Sequence, residues 1–217
     1  MTQPLTNASP GSALFPEYDA LYDLIAAEVV CLSDAQLDFK SDRWEWAVWS
    51  IRRQLSHMSS LMYRWLILRW GGTLFPEGDH GVEDVKGLAD SDHDRRMNED
   101  RYWELPIILE KLREGIDLVQ RVLAGRSVGF LRSHTYLQDQ TPQWELMTKA
   151  HATGFTVTDD PTKEVMTLEA TMRHIYFEET THLYNIQRLK RAQDLSTAVQ
   201  VPRVGYWVVD GWDRSEP

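Results

Sequence analysis

His174-Ile-Tyr-Phe-Glu178-Glu179-Thr-Thr-His182-Leu-Tyr-Asn-Ile186-Gln-Arg-Leu189 is the stretch on which the reading of the chain turns. It lies on an apolar stripe of Val165, Leu168, Met172, Ile175, Ile186 and Leu189, whose spacing predicts one long helix. Asp160-Pro161 supplies a cap and first-turn signal for that helix, which is expected to run to about Gln193. In the middle of the stripe stand Glu179 and His182, with Glu178 alongside. Ionisable groups inside an apolar face cost free energy unless they are paired or bind something.

Three further helices follow from the same periodicity. Tyr18, Leu21, Tyr22, Ile25 and Val29 predict a first helix from Pro16 to about Leu32. Ile51, Leu55, Met58, Met62 and Trp65 predict a second from about Val48 to Trp70, stopped by Gly71-Gly72. Leu105, Ile108, Leu112, Ile116, Val119 and Leu123 predict a third over Trp103 to Ala124. Residues 71–100 and 126–159 read as long connections, the second with a short helical piece near Trp144 to His151. Four long amphipathic helices without alternating strands imply an all-α four-helix bundle over residues 13–195. Residues 1–12 read as a disordered tail. Residues 196–217 read as an extension, β-prone at Tyr206 to Val209, that packs on the bundle or on a partner subunit.

The second helix carries His57 between Leu55 and Met58. Side chains four apart on a helix share a face and rise about 6 Å, so two of them can converge on one ion. His174, Glu178 and His182 form such a series. The outer two are about 12 Å apart along the axis, which leaves His174/Glu178 or Glu178/His182 as the ligand pair and His57 as the third ligand. The plainer reading is a set of hydrogen-bonded histidines with solvated glutamates. Glu179-Thr-Thr-His182 also fits the Glu-x-x-His unit of di-iron bundles, but Gln54 stands at the matching place before His57 and no second set is present. His80, His93, His134 and His151 fall in expected loops. No nucleophile elbow, phosphate-cradling loop or dinucleotide fingerprint occurs.

Composition narrows the classes. A net charge of −10 argues against nucleic acid as partner. No apolar run approaches the ~18–20 residues of a membrane span, and Met1 to Ser12 lacks the pattern of a secretory signal. The single cysteine, Cys31, lies in an apolar run and is expected as a buried core thiol, which fits a reducing cytoplasm. Nine tryptophans are expected mainly in the core. Together with the apolar tail they point to a homodimer.

Two stretches carry a family resemblance. Trp49-Ser-Ile-Arg-Arg-Gln-Leu-Ser-His57-Met resembles the Trp-Ser start and helix-two histidine of the DinB-like (DinB/YfiT) superfamily, and 174–190 resembles that family's last helix. The resemblance covers about residues 15–193. It implies an up-down-down-up bundle, frequent homodimers, and a divalent metal (zinc, nickel, manganese or iron) in the bundle cleft. It places the metal ligands on His57, Glu178 and His182, with Glu178 standing where a histidine is usual. His174, one turn away, would serve as an acid/base group or hydrogen-bond partner. Relatives include thiol-dependent S-transferases and a thiol-dependent isomerase. The implied function is therefore a metal-dependent enzyme acting on a small molecule, by S-transfer with a low-molecular-weight thiol or by hydrolysis. The competing class is a non-catalytic binding or stress-related protein with a vestigial site.

Overall fold

In a computed structural model, the apolar stripes become the inward faces of long helices. The structure describes residues 4–141 and 144–217. The longest helices are α1 (Tyr18–Val29), α3 (Ile51–Tyr63), α6 (Leu105–Gly125) and α9 (Leu168–Arg191), separated by the short α2 (Asp34–Leu37), α4 (Gly71–Leu74), α5 (Val85–Ala89), α7 (Val128–Ser133) and α8 (Trp144–Ala150). Side-chain caps set several starts. Ser50 accepts from the Arg53 amide at the head of α3, and Thr167 from the Ala170 amide at the head of α9. Helix α3 packs on both α6 and α9, and α1 on the same two. Leu21, Ile25, Leu55, Met58, Leu112, Val119, Ile175 and Ile186 are fully buried among them.

The expected all-α four-helix bundle is corrected by what lies between these helices. Among the described residues there are nine α-helical segments and a three-stranded antiparallel sheet of β1 (Thr135–Asp139), β2 (Phe155–Val157) and β3 (Lys163–Thr167), in the order β1-β3-β2. Residues 163–167 were expected inside the last helix. They alternate instead, with Glu164 and Met166 buried and their neighbours half-exposed, which is the period of a strand. Met166 pairs with Tyr136 on one side and Phe155 on the other. The helix therefore begins at Leu168 rather than at Pro161, and Val165 belongs to the sheet.

The second helix also differs from expectation. Its α-helical part ends at Tyr63 and a π-helical turn, Arg64–Arg69, completes it, with the Trp70 amide donating to the Trp65 carbonyl at 3.0 Å. Cys31 is exposed, not buried, because α1 ends two residues earlier and the chain turns outward. Residues 1–3 of the expected disordered tail lie outside the described residues. Beyond them, the carbonyls of Asn7 and Ser9 accept from the Gly129 and Val128 amides, which ties this stretch to α7. No helix among the described residues is long and apolar enough to cross a membrane.

Residues 196–217 fold back along α9. Tyr206–Val208 form a 3-10 turn, so the β-prone stretch makes no strand. Gly205 adopts φ +108 against the Phe177 carbonyl, which a Cβ would meet at 2.9 Å. The anchor is Glu28, buried on α1. It receives Lys190 Nζ at 2.5 Å, Gln187 Nε2 at 3.0 Å, and the Ala198 and Val199 amides at 3.0 Å each. Arg188 stacks on Trp46 and Tyr184 and donates to the carbonyls of Asp213 and Ser215.

Removing one partner of a buried ion pair leaves the other charge uncompensated, at a cost of about 3–5 kcal/mol. Glu28→Ala is expected to lower stability to chemical denaturation by that amount. It should also render residues 196–217 the first site of limited proteolysis.

Candidate metal centre

Helix α3 carries His57 on the face it turns toward α9, where the ring is 3% exposed. Helix α9 presents Glu178 and His182 one turn apart toward the same point. The Glu178 Oε2 atom lies 3.3 Å from His182 Nε2 and 3.9 Å from His57 Nε2, and the two imidazole centroids are 4.6 Å apart. The three ligand atoms all fall within 4.8 Å of one another. Ligands about 2.1 Å from one tetrahedral ion stand about 3.4 Å apart, so this spacing needs only a small inward adjustment to close on a cation.

The neighbours of the two rings decide which nitrogens face that point. His57 Nδ1 lies 2.9 Å from the Arg95 carbonyl, which can only accept, so Nδ1 carries the hydrogen. His182 Nδ1 likewise faces Gln54 Oε1. Each ring thus turns Nε2 toward Glu178, and a proton there would make the ring an imidazolium. Burial pushes His57 down to about 4, with Glu178 only partly offsetting it, so its Nε2 holds a bare lone pair at neutral pH. Burial would push the Glu178 carboxyl up. The hydrogen-bonding reach of His182 and His57 and the nearby imidazoles outweigh it, and the group stays well below the usual carboxylate range. An anionic oxygen and two imidazole nitrogens converge on one point, which is the donor set of a divalent cation.

Of the two pairings open from spacing, the structure brings together His57, Glu178 and His182. His174 stands apart from that cluster but lines the same cavity. Its Nδ1 lies 2.5 Å from Tyr206 Oη, which also contacts His151 Nε2 at 2.9 Å. Burial pushes His174 down to about 4 and His151 to about 3, and holds the Tyr206 hydroxyl well above its ordinary value. The tyrosine is therefore a neutral hydroxyl between two neutral imidazoles. Glu179 turns the other way. It is fully buried, both carboxyl oxygens lack a partner among the described residues, and burial followed by Glu178 pushes the carboxyl well above the usual carboxylate range.

The cavity holds about 340 Å³ and joins a wider groove through Trp49, Arg95, His182 and Trp212, which line both. Trp49 covers the centre, its ring 5.2 Å from His57. Sequence reasoning had passed over Gln54, Trp49, Arg95 and Tyr206 as parts of the site. Gln54 was one turn-step from His57 and therefore visible. Arg95 acts through its backbone carbonyl, which no residue type advertises, at a φ of +54 in a loop held by Met97 N–H to Ser56 Oγ and by Arg53 and Arg96 on Glu99. Compared with family models, curated proteins and solved structures, the chain finds no match.

Loss of an outer hydrogen-bond partner of a ligating imidazole costs ten- to a hundredfold in metal affinity. Gln54→Leu is expected to weaken divalent-ion binding by that factor in a calorimetric titration, with the melting temperature little changed.

The buried neutral histidines also set an acid limit. Unfolded, His57, His151 and His174 titrate near 6.5; folded, they titrate near 3 to 4. Their contribution to stability is complete above about pH 6.5 and is lost as pH falls toward 4, because the unfolded state binds the protons first. Melting temperatures of metal-free protein across pH 7.5 to 4 should fall steadily through that window.

Proposed function

We propose that this protein is a divalent-metal-dependent enzyme acting on a small molecule, with S-transfer from a low-molecular-weight thiol, or hydrolysis, as its chemistry. The observation that carries the reading is the convergence of His57, Glu178 and His182 with both Nδ1 hydrogens turned away to fixed acceptors. The resemblance of 49–58 and 174–190 to DinB-like proteins supports the choice of chemistry. A cytoplasmic setting belongs to the same reading. A bound divalent ion would lower the pKa of a coordinated water or thiol toward neutrality.

The chain's own residues supply the rest. His57, Glu178 and His182 would occupy three positions and leave the cavity side open; Glu178 itself is only about three-quarters covered. Arg95 and Gln54 hold the imidazoles in one tautomer and orientation. Trp49 limits water on the groove side. His151 Nδ1 is buried without a partner among the described residues. An orphaned lone pair costs less than an orphaned N–H, so His151 Nε2 donates to Tyr206 Oη, and the hydroxyl donates to His174 Nδ1. His174 then presents its Nε2–H as the protonated atom on the cavity wall, placed to donate to an oxygen or sulfur of the substrate.

Metal content of purified, metal-supplemented variants tests the reading. Wild-type protein is expected to hold one divalent ion per chain. Glu178→Ala and His182→Ala should lose it, Glu178→His should retain it with a preference for softer ions, and His174→Ala should keep it. Equal metal content in all five, or none in the wild type, would leave the competing reading of a binding protein with a vestigial site.

A further inference from the structure

The wall of the same cavity carries an excess of positive charge that the metal ligands do not use. Arg64, Arg69 and Arg95 all line it, in a protein whose net charge is −10. Residues five apart on an α-helix point about 140° away from each other. Arg64 and Arg69 share the cavity because the segment between them is a π-helical turn, whose i→i+5 bonding brings such residues toward one face. π-Helical turns concentrate at functional sites.

The three guanidiniums differ in how far they are satisfied. Arg95 reaches Asp94 at 3.2 Å and lies 5.3 Å from the Trp49 centroid. Arg69 donates to Gln138 at 3.2 Å and stacks on Trp65 at 3.8 Å, with buried Glu164 behind Gln138. For Arg64, Nη1 is buried without a partner among the described residues. Its charged surroundings are Arg69 and Arg95, which repel it, and Glu178 and Asp94, which attract it. Burial followed by those two arginines depresses its pKa to about 10, so it remains a cation. Arg64 is half-buried, its Nη1 lacks a partner among the described residues, and its planar fork matches an oxyanion.

We propose that Arg64, flanked by Arg69 and Arg95, is an oxyanion-binding subsite beside the metal centre, and that the small molecule taken by this cavity carries a carboxylate or phosphate group. The inference names the substrate class for the enzyme reading above. The anion subsite itself is testable without the metal.

The probes are succinate and inorganic phosphate, titrated calorimetrically into chelator-treated and divalent-loaded protein, for wild type, Arg64→Met, Arg64→Lys and Arg69→Gln. At least one probe is expected to bind wild-type protein in both states. Arg64→Met should weaken it at least tenfold without changing metal content, and Arg64→Lys by less. The tighter of the two probes tells carboxylate from phosphate. Because Arg64 Nη1 is buried without a partner among the described residues and two arginines repel the group, Arg64→Met should melt no lower than wild type; a purely structural arginine would give a lower value. Anion binding through Arg64 without any metal uptake would sink the metal reading and leave the subsite standing. Binding of neither probe, or equal binding by wild type, Arg64→Met and Arg69→Gln, would overturn the subsite, whatever the metal content. Should Arg64→Met fail to fold, the Arg69→Gln and Arg64→Lys titrations decide on the same criterion.

Discussion

Imidazole lone pairs and a carboxylate oxygen repel one another unless a proton or a cation lies between them, and in a low-dielectric cleft that repulsion is severe. Arg95 and Gln54 engage the Nδ1 hydrogens of His57 and His182, and the freed Nε2 atoms turn to Glu178. That constraint gives purpose to features that are otherwise expensive: a left-handed Arg95, a loop tied to α3 through Glu99 and Ser56, and ionisable groups on an apolar helical face. Structural strain and unpaired polar groups collect where a site must be pre-organised.

The rest of the fold keeps this geometry rigid. α3 and α9 pack directly, so the separation of His57 from Glu178 is set by interhelical contact and not by loop conformation. The three-stranded sheet hands the chain into α9 at Thr167 and carries Gln138 to the cavity wall. The terminal segment, fastened by Glu28, Lys190 and Arg188, delivers Tyr206 against His174. The candidate ligands His57, Glu178 and His182, the His174 imidazole and the Arg64 guanidinium thereby line one cavity of about 340 Å³, a volume suited to a small molecule.

Long-range periodicity was legible in the sequence, and local chemistry was not. The inward faces of α1, α3, α6 and α9 follow from residues such as Leu21, Leu55, Leu112 and Ile186, and the i,i+4 spacing of Glu178 and His182 announced a shared face. The four-helix bundle failed in part because Val165 satisfies a helical stripe and a strand equally well over so short a run; the pairing with Leu137 and Thr156 that decides for the strand comes from other segments of the chain. The π turn at Arg64–Arg69 has no compositional mark, and α-helical spacing would put the two arginines on different faces. Cys31 read as buried from its apolar neighbours, although the helix ends before it. The outer partners of the site were hidden for different reasons. Gln54 was noticed only as a missing glutamate, and the Arg95 carbonyl is a property of the backbone.

The central claim is that two imidazoles and one carboxylate of this chain share a cation. X-ray absorption spectroscopy of zinc-loaded protein measures that shell directly. The account predicts two nitrogen neighbours with the multiple-scattering signature of imidazole at about 2.0–2.1 Å, a carboxylate oxygen at about 2.0–2.2 Å, and a further light-atom ligand at the open position. A shell of oxygens without imidazole scattering, or with sulfur in it, would contradict the account.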